Sequence, residues 1–155
     1  MSKFVDNNST VGIAGEFFVA AELTRRGYVA SLTGKNTKAI DILASSKDGS
    51  RAVSIQVKTS NNAKANKWMM NENAETLFSD NLFYVFVNMR EGQMPDYYII
   101  PSTFVAQKIK EEHQLWLNTP GRNGQKHNPT SMRTFTFSSE AQMLEYKDAW
   151  GLLGL

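Results

Sequence analysis

The stretch AIDILASSKDGSRAVSIQVKTS, residues 39–60, decides the fold. Two runs suited to strands, Ala39 to Ser45 and Ala52 to Thr59, meet across Asp48-Gly49, a hairpin turn signal. With that turn Lys47 pairs with Ser50, and stepping back along both strands sets Asp41 opposite Gln56. Period-2 alternation puts Lys58 on the same face, about 7 Å beyond Gln56, while Val53, Ile55 and Val57 fill the other. Asp41 is flanked by Ile40 and Ile42, and Gln56 by Ile55 and Val57, so polar groups interrupt strands otherwise built for burial.

Upstream, residues Gly12 to Gly27 read as a helix, with Ser9 and Thr10 as possible caps, followed by a strand over Tyr28 to Leu32. At 100° per residue, Gly12, Ile13, Val19, Ala20, Leu23 and Gly27 fall near Glu16, whereas Phe18, Glu22 and Arg25 fall on the far side. Glu16 is therefore expected in the middle of the apolar stripe, where a charge needs a partner. Two carboxylates, an amide oxygen and an ammonium suit a hard divalent cation beside a phosphodiester, with Mg²⁺ expected and Mn²⁺ as its substitute. Lys58 would orient or deprotonate the attacking water, or stabilise the phosphorus centre. Hydrolysis is favoured over transfer, because no acceptor site or phosphate-binding loop is visible.

Downstream, Ser60 to Asn73 reads as a polar stretch. Strands follow at Leu82 to Met89 and Tyr97 to Ile100, then a helix from Ser102 to Leu117 and a Gly, Asn and Pro loop to Met132. Last come a strand at Arg133 to Phe137 and a helix beginning near Ser139, with Glu140 to Trp150 as its body. This order predicts an α/β fold, a mixed sheet flanked by helices on both faces. The 155 residues contain no long linker or repeat and read as one domain, residues 1–155. Its catalytic core spans about 12–100, with a C-terminal elaboration over about 101–155. With no cysteine, thiol nucleophiles, thiolate metal sites and disulfides are excluded. The longest apolar run, Leu82 to Val87, is far short of a membrane span and the start is polar, so a soluble cytoplasmic protein is expected. A net charge of +2 permits a nucleic-acid partner without demanding one.

Glu16 on the first helix, Asp41 on the second strand and Gln56-Val57-Lys58 on the third resemble the PD-(D/E)XK nuclease superfamily in its Gln-x-Lys variant. Gly15-Glu16 through Gly27-Tyr28, Ala39-Ile40-Asp41-Ile42 and Ile55-Gln56-Val57-Lys58-Thr59 are similar to endonucleases encoded by group I introns, and to archaeal Holliday junction resolvases. The resemblance covers Gly12 to Ser60 and extends to the strand at Leu82 to Met89. It implies a restriction-endonuclease-like α-β-β-β-α-β core, a metal-dependent DNA endonuclease, no organic cofactor, and a homodimer or tetramer. It also implies that Asp41 is the central metal ligand, that Gln56 and the Val57 carbonyl complete the site, that Lys58 is the catalytic lysine and that Glu16 is the helix acid. Ile40 stands where the family has its proline. Gln56 in place of an acid removes a charge and leaves room for a module that binds nucleic acid or a protein without cutting.

Lys35, Lys38, Lys64 and Lys67 flank this site in sequence and are candidate phosphate contacts. Residues Gln114 to Ser139 contain no acid but carry Arg122, Lys126 and Arg133, a candidate nucleic-acid grip. The bland alternatives are solvated lysines, a surface loop, and an Asp41 or Glu16 ion pair with Lys58 kept for the fold. His113 and His127 match no metal spacing and read as surface residues. Trp68, Trp116, Trp150, Phe83, Tyr84 and Phe86 read as core or dimer-interface aromatics, and Ser102 as a helix cap. Pro95-Asp96 with Glu145-Tyr146-Lys147 spells the superfamily's name but is rejected, because Glu145 and Lys147 are expected on one helix, pointing apart.

Overall fold

The computed structural model describes residues 8–34, 37, 39–62 and 64–155; Lys35 and Lys38 lie outside the described residues. Helix α1 (Asn8–Arg25) precedes strands β1 (Val29–Leu32), β2 (Ile42–Ser45), β3 (Ala52–Ser60) and β4 (Lys67–Asn71). After a 3-10 turn at Glu72–Glu75 come β5 (Leu82–Asn88), β6 (Asp96–Pro101), α2 (Ser102–Asn118), β7 (Met132–Thr136), α3 (Glu140–Tyr146) and a closing 3-10 turn, Trp150–Leu153. Five strands form one sheet in the order β1-β2-β3-β5-β6, and β4 pairs with β7 in a separate two-stranded ribbon. Only β3 and β5 run parallel; the other neighbours are antiparallel. The fold is α/β, a mixed sheet with helices on both faces.

Strand β5, Leu-Phe-Tyr-Val-Phe-Val-Asn, is buried at all seven positions because both faces of this interior strand are covered. On one face Val19 and Leu23 of α1 join Ile42, Val53, Ile55, Val57 and Val85. On the other, Tyr84, Phe86, Tyr98 and Ile100 pack with Val105 and Ile109 of α2 and with Trp68 and Phe135 of the ribbon. Gly27, at φ +89°, ends α1, and the next residue, Tyr28, donates its N–H back to the Leu23 carbonyl at 3.1 Å.

The hairpin register is the expected one: Ile42 faces Ile55 and Ser45 faces Ala52. Its loop is wider than a two-residue turn, because the outermost bond runs from the Ser46 N–H to the Arg51 carbonyl. Asp48 closes that loop by accepting from the Ser50 amide and from the Ser46 and Ser50 hydroxyls, which hold its carboxyl at a pKa of about 2.

Several expectations are corrected. Ser9 and Thr10 lie inside α1 and are not its caps. The buried stripe of α1 is Val11, Gly15, Val19, Glu22 and Leu23, so Glu16 sits at its edge and Glu22 is inside, paired with Arg25 and Arg26. A helical wheel weighs apolar side chains and gives none to Gly15, the residue at which the helix approaches closest. Ser60 to Asn73 holds β4, whose partner is 65 residues away at the register Met69–Thr134. Helix α3 stops at Tyr146, because Lys147 bridges to Tyr98 and Asp148 donates to the Tyr97 carbonyl at 2.9 Å, covering the β6 edge. Ser102 does not cap α2; its buried hydroxyl donates to the Ser79 carbonyl at 3.0 Å and accepts from the Ser79 amide.

Candidate active site

Asp41 stands one residue before β2. Its N–H donates to the Ile55 carbonyl at 2.9 Å, and its Oδ2 accepts from the Val57 N–H at 2.7 Å. The register that pairs Ile42 with Ile55 continues to place Asp41 beside Gln56. Gln56 and Lys58 alternate with buried Ile55 and Val57 and are themselves half-buried, on the face that β5 continues with Tyr84 and Phe86. The polar face expected from alternation is therefore present.

Glu16 reaches this group through a close helix–strand contact. A Cβ on Gly15 would lie 1.9 Å from Thr59 Oγ1, so only glycine lets α1 lie this low on β3. Burial and the neighbouring Asp41 charge both push the Glu16 carboxyl above the usual range. Burial likewise raises Asp41, against the Val57 hydrogen bond and the Lys58 charge, which lower it. The Tyr84 phenol is pushed up to about 12 by burial and then by Asp41. Among the described residues its buried hydroxyl meets no hydrogen-bonding group, and neither does Thr59 Oγ1.

Asp41, whose charge hinders ionisation of Glu16, could with Glu16 and the Gln56 amide oxygen offer hard oxygen donors of the kind Mg²⁺ takes. Among the described residues no group of three or more His, Asp or Glu side chains is placed to hold a metal ion. A cleft of about 310 Å³, lined by Asn8, Lys58, Ser60, Asn61, Lys67 and Met69, opens beside Lys58.

The structure separates the other candidates. Lys67 lines the same cleft as Lys58, and Lys64 is exposed in the loop before it. Arg122 and Lys126 are exposed in the loop from Thr119 to Ser131. Arg133 is not available to a ligand: it is buried, paired with Glu75, and donates to the Thr130 carbonyl at 2.5 Å. Trp68 and Trp150 are core residues, while Trp116 is exposed and stacked between His113 and His127, with centroids 5.6 and 4.0 Å away. Asp96 and Lys147 form an ion pair at 3.0 Å, and Arg90 binds the other Asp96 oxygen at 2.5 Å. Burial raises the Asp96 carboxyl, but the two cations together hold it below the usual range. Glu145 is exposed on α3, so the literal motif is a surface ion pair, not a site. Gly15, Thr59 and Tyr84 carry no charge, and a search among charged residues passes over them.

The sheet and its two covering layers define a mixed-sheet α/β fold. The particular likeness is to the solved structure of a bacterial homing endonuclease, I-Ssp6803I, at a TM-score of 0.56 and 14% identity, covering 97% of this chain and 94% of that one. No family model matches the sequence, and no curated protein matches it. Among the described residues no helix is long and apolar enough to cross a membrane.

Proposed function

We propose that this chain is a metal-dependent DNA endonuclease of the PD-(D/E)XK type that hydrolyses phosphodiester bonds. The observation that carries the reading is the 2.7 Å bond from the Val57 amide to Asp41, which fixes one carboxylate in the register opposite Gln56, where the Lys58 charge acts on it and its own charge acts on Glu16. The fold likeness to a homing endonuclease supports it, and DNA is the substrate class it suggests.

In this reading Asp41, Glu16, Gln56 and the Val57 carbonyl would hold Mg²⁺, or Mn²⁺ in its place. The ion supplies a water of lowered pKa and neutralises charge on the phosphate. The Val57 N–H keeps Asp41 Oδ2 fixed. Lys58 Nζ, whose charge is felt at Asp41, orients the attacking water and stabilises the negative charge growing on the phosphate oxygens. Gln56 contributes an oxygen without a charge, which lowers metal affinity relative to a carboxylate.

The test is a Mg²⁺ or Mn²⁺ titration with supercoiled, branched and single-stranded DNA, run beside Asp41→Ala and Lys58→Ala. Cleavage is expected to require metal and to fall by about 10² or more in folded Lys58→Ala protein. Gln56 favours a second reading, a silent module on the same fold. Tight, metal-independent binding with no product in any arm would establish that reading and end the enzymatic one.

A further inference from the structure

The β4–β7 ribbon has one face buried and one bare. Inward, Trp68, Met70 and Phe135 are buried; Trp68 packs 5.0 Å from Phe86 and Phe135 4.5 Å from it, and Trp68 Nε1 donates to the Val87 carbonyl at 2.9 Å. Outward, the register sets three cross-strand pairs side by side: Lys67 with Thr136, Met69 with Thr134, and Asn71 with Met132. Met69, in the middle pair, and Met132, in the end pair, are 50% and 58% exposed, and none of the six strand residues of this face is a carboxylate. The packing behind makes this a rigid platform, while the two methionines give it a reason to be covered.

We propose that this outward face inserts into the major groove of duplex DNA and reads base edges there, a reading that rests on the nuclease function proposed above. Size, chemistry and position agree. Two strands about 4.8 Å apart with their side chains form a ribbon that the groove, about 12 Å wide, admits. The methyl groups of Met69, Met132, Thr134 and Thr136 suit thymine methyls, Lys67 suits guanine or a phosphate, and Asn71, whose Oδ1 already accepts from the Asn73 N–H at 3.0 Å, offers its Nδ2 as a donor to a base acceptor. Lys67 and Met69 line the cleft that holds Lys58, and they also line a second cleft of about 330 Å³ against α2, with His113, Trp116 and Glu112, whose charge is paired with Lys108. The face is thus continuous with the candidate active site. Lys64 precedes the ribbon, and the loop bearing Arg122 and Lys126 leads into β7, so cations that match DNA phosphates border it. Glu72, just past β4, lies 4.0 Å from Arg133.

The test is selection by the full chain, without added divalent metal, from a pool of random-sequence DNA duplexes. The wild type is expected to enrich a consensus. Asn71→Ala and Thr134→Ala, and Met132→Ala should either fail to fold, are expected to lose preference at one or two positions by about tenfold or more. Lys47→Ala, on the distant hairpin turn, should leave the preference intact. Replacing adenine or guanine at those positions by its 7-deaza analogue, which alters only the major groove, should abolish the difference between wild type and variant. Duplex RNA, whose deep major groove side chains cannot read, should not compete in a sequence-dependent way. An unchanged consensus in folded ribbon variants would overturn the proposal, as would a difference abolished by inosine, which alters the minor groove, or a wild type that enriches nothing. None of these outcomes touches Lys58-dependent cleavage, so the nuclease reading stands or falls separately.

Discussion

Gly15 of α1 and Thr59 of β3 are in contact at a distance that admits no Cβ: one placed on Gly15 would lie 1.9 Å from Thr59 Oγ1 and 3.0 Å from Thr59 Cβ. The contact sets the height of α1 above the sheet, and with it the approach of Glu16 to Asp41. Gly15→Ala gains roughly 1 kcal/mol of helix propensity but overfills a packed contact, which costs about 1–3 kcal/mol. The net expectation is a loss of stability together with impaired cleavage. Thr59→Ala removes the oxygen that clashes and should restore part of both, a coupling that a double-mutant melting series reads directly. Additive losses would remove Gly15 from its proposed role.

The two carboxyls of the site destabilise the fold they sit in. Asp41 and Glu16 both have folded pKa values raised by burial, with Asp41 adding to the rise at Glu16. A carboxyl whose folded pKa is raised holds more protons in the folded state than in the unfolded chain. Stability therefore falls as pH rises from the ordinary carboxylate range through the folded pKa. Asp41→Asn and Glu16→Gln are expected to melt at or above the wild-type temperature at neutral pH, with the gap closing as the pH is lowered toward 4, while cleavage is lost. The amide oxygen introduced by Asp41→Asn can still accept from the Val57 N–H, so that hydrogen bond is kept. A large destabilisation by Asp41→Asn at neutral pH would mean that the cluster exists for the fold.

Arg133 gives a sharp contrast between a ligand contact and a structural cation. Its guanidinium is buried, paired with Glu75 and bonded to the Thr130 and Met132 carbonyls. Arg133→Met leaves Glu75, itself mostly buried, without its partner, and removing one member of such a pair costs about 3–5 kcal/mol. The expected result is a drop in chemical-denaturation stability of that order. A variant of wild-type stability whose DNA binding alone shows a shallower salt dependence would return Arg133 to the nucleic-acid surface.

What was legible in the sequence is what local rules control. Asp48-Gly49 and two alternating strands specify the β2–β3 register, and that register alone brings Asp41, Gln56 and Lys58 together. The close approach of Gly15 was not legible, because a hydrophobic-face argument gives a glycine no weight. Strand β4 escapes for a different reason: Lys-Trp-Met-Met-Asn alternates buried and exposed, but its pairing with β7 depends on contacts far along the chain. Arg133 follows the same logic. Read by charge it belongs to an acid-free loop, and only the fold brings Glu75 beneath it. The helical pattern extends over Lys147, yet the helix ends one residue earlier, where the chain turns to bridge β6.

Tyr84 carries the last expectation. It faces Gln56 across the β3–β5 register, lies near enough to Asp41 for that charge to raise its pKa, and buries a hydroxyl that meets no hydrogen-bonding group among the described residues. A buried polar group without a partner costs about 1–3 kcal/mol. Tyr84→Phe keeps the ring stacked 5.7 Å from Phe86 and deletes only that oxygen. Stability should therefore stay level or rise by about 1 kcal/mol. Since the oxygen lies on the Gln56 and Lys58 face, cleavage should fall even though melting improves, which is the signature of a group kept for the site at the expense of the fold. Lower stability with unchanged cleavage would instead make the hydroxyl part of the core's own hydrogen bonding.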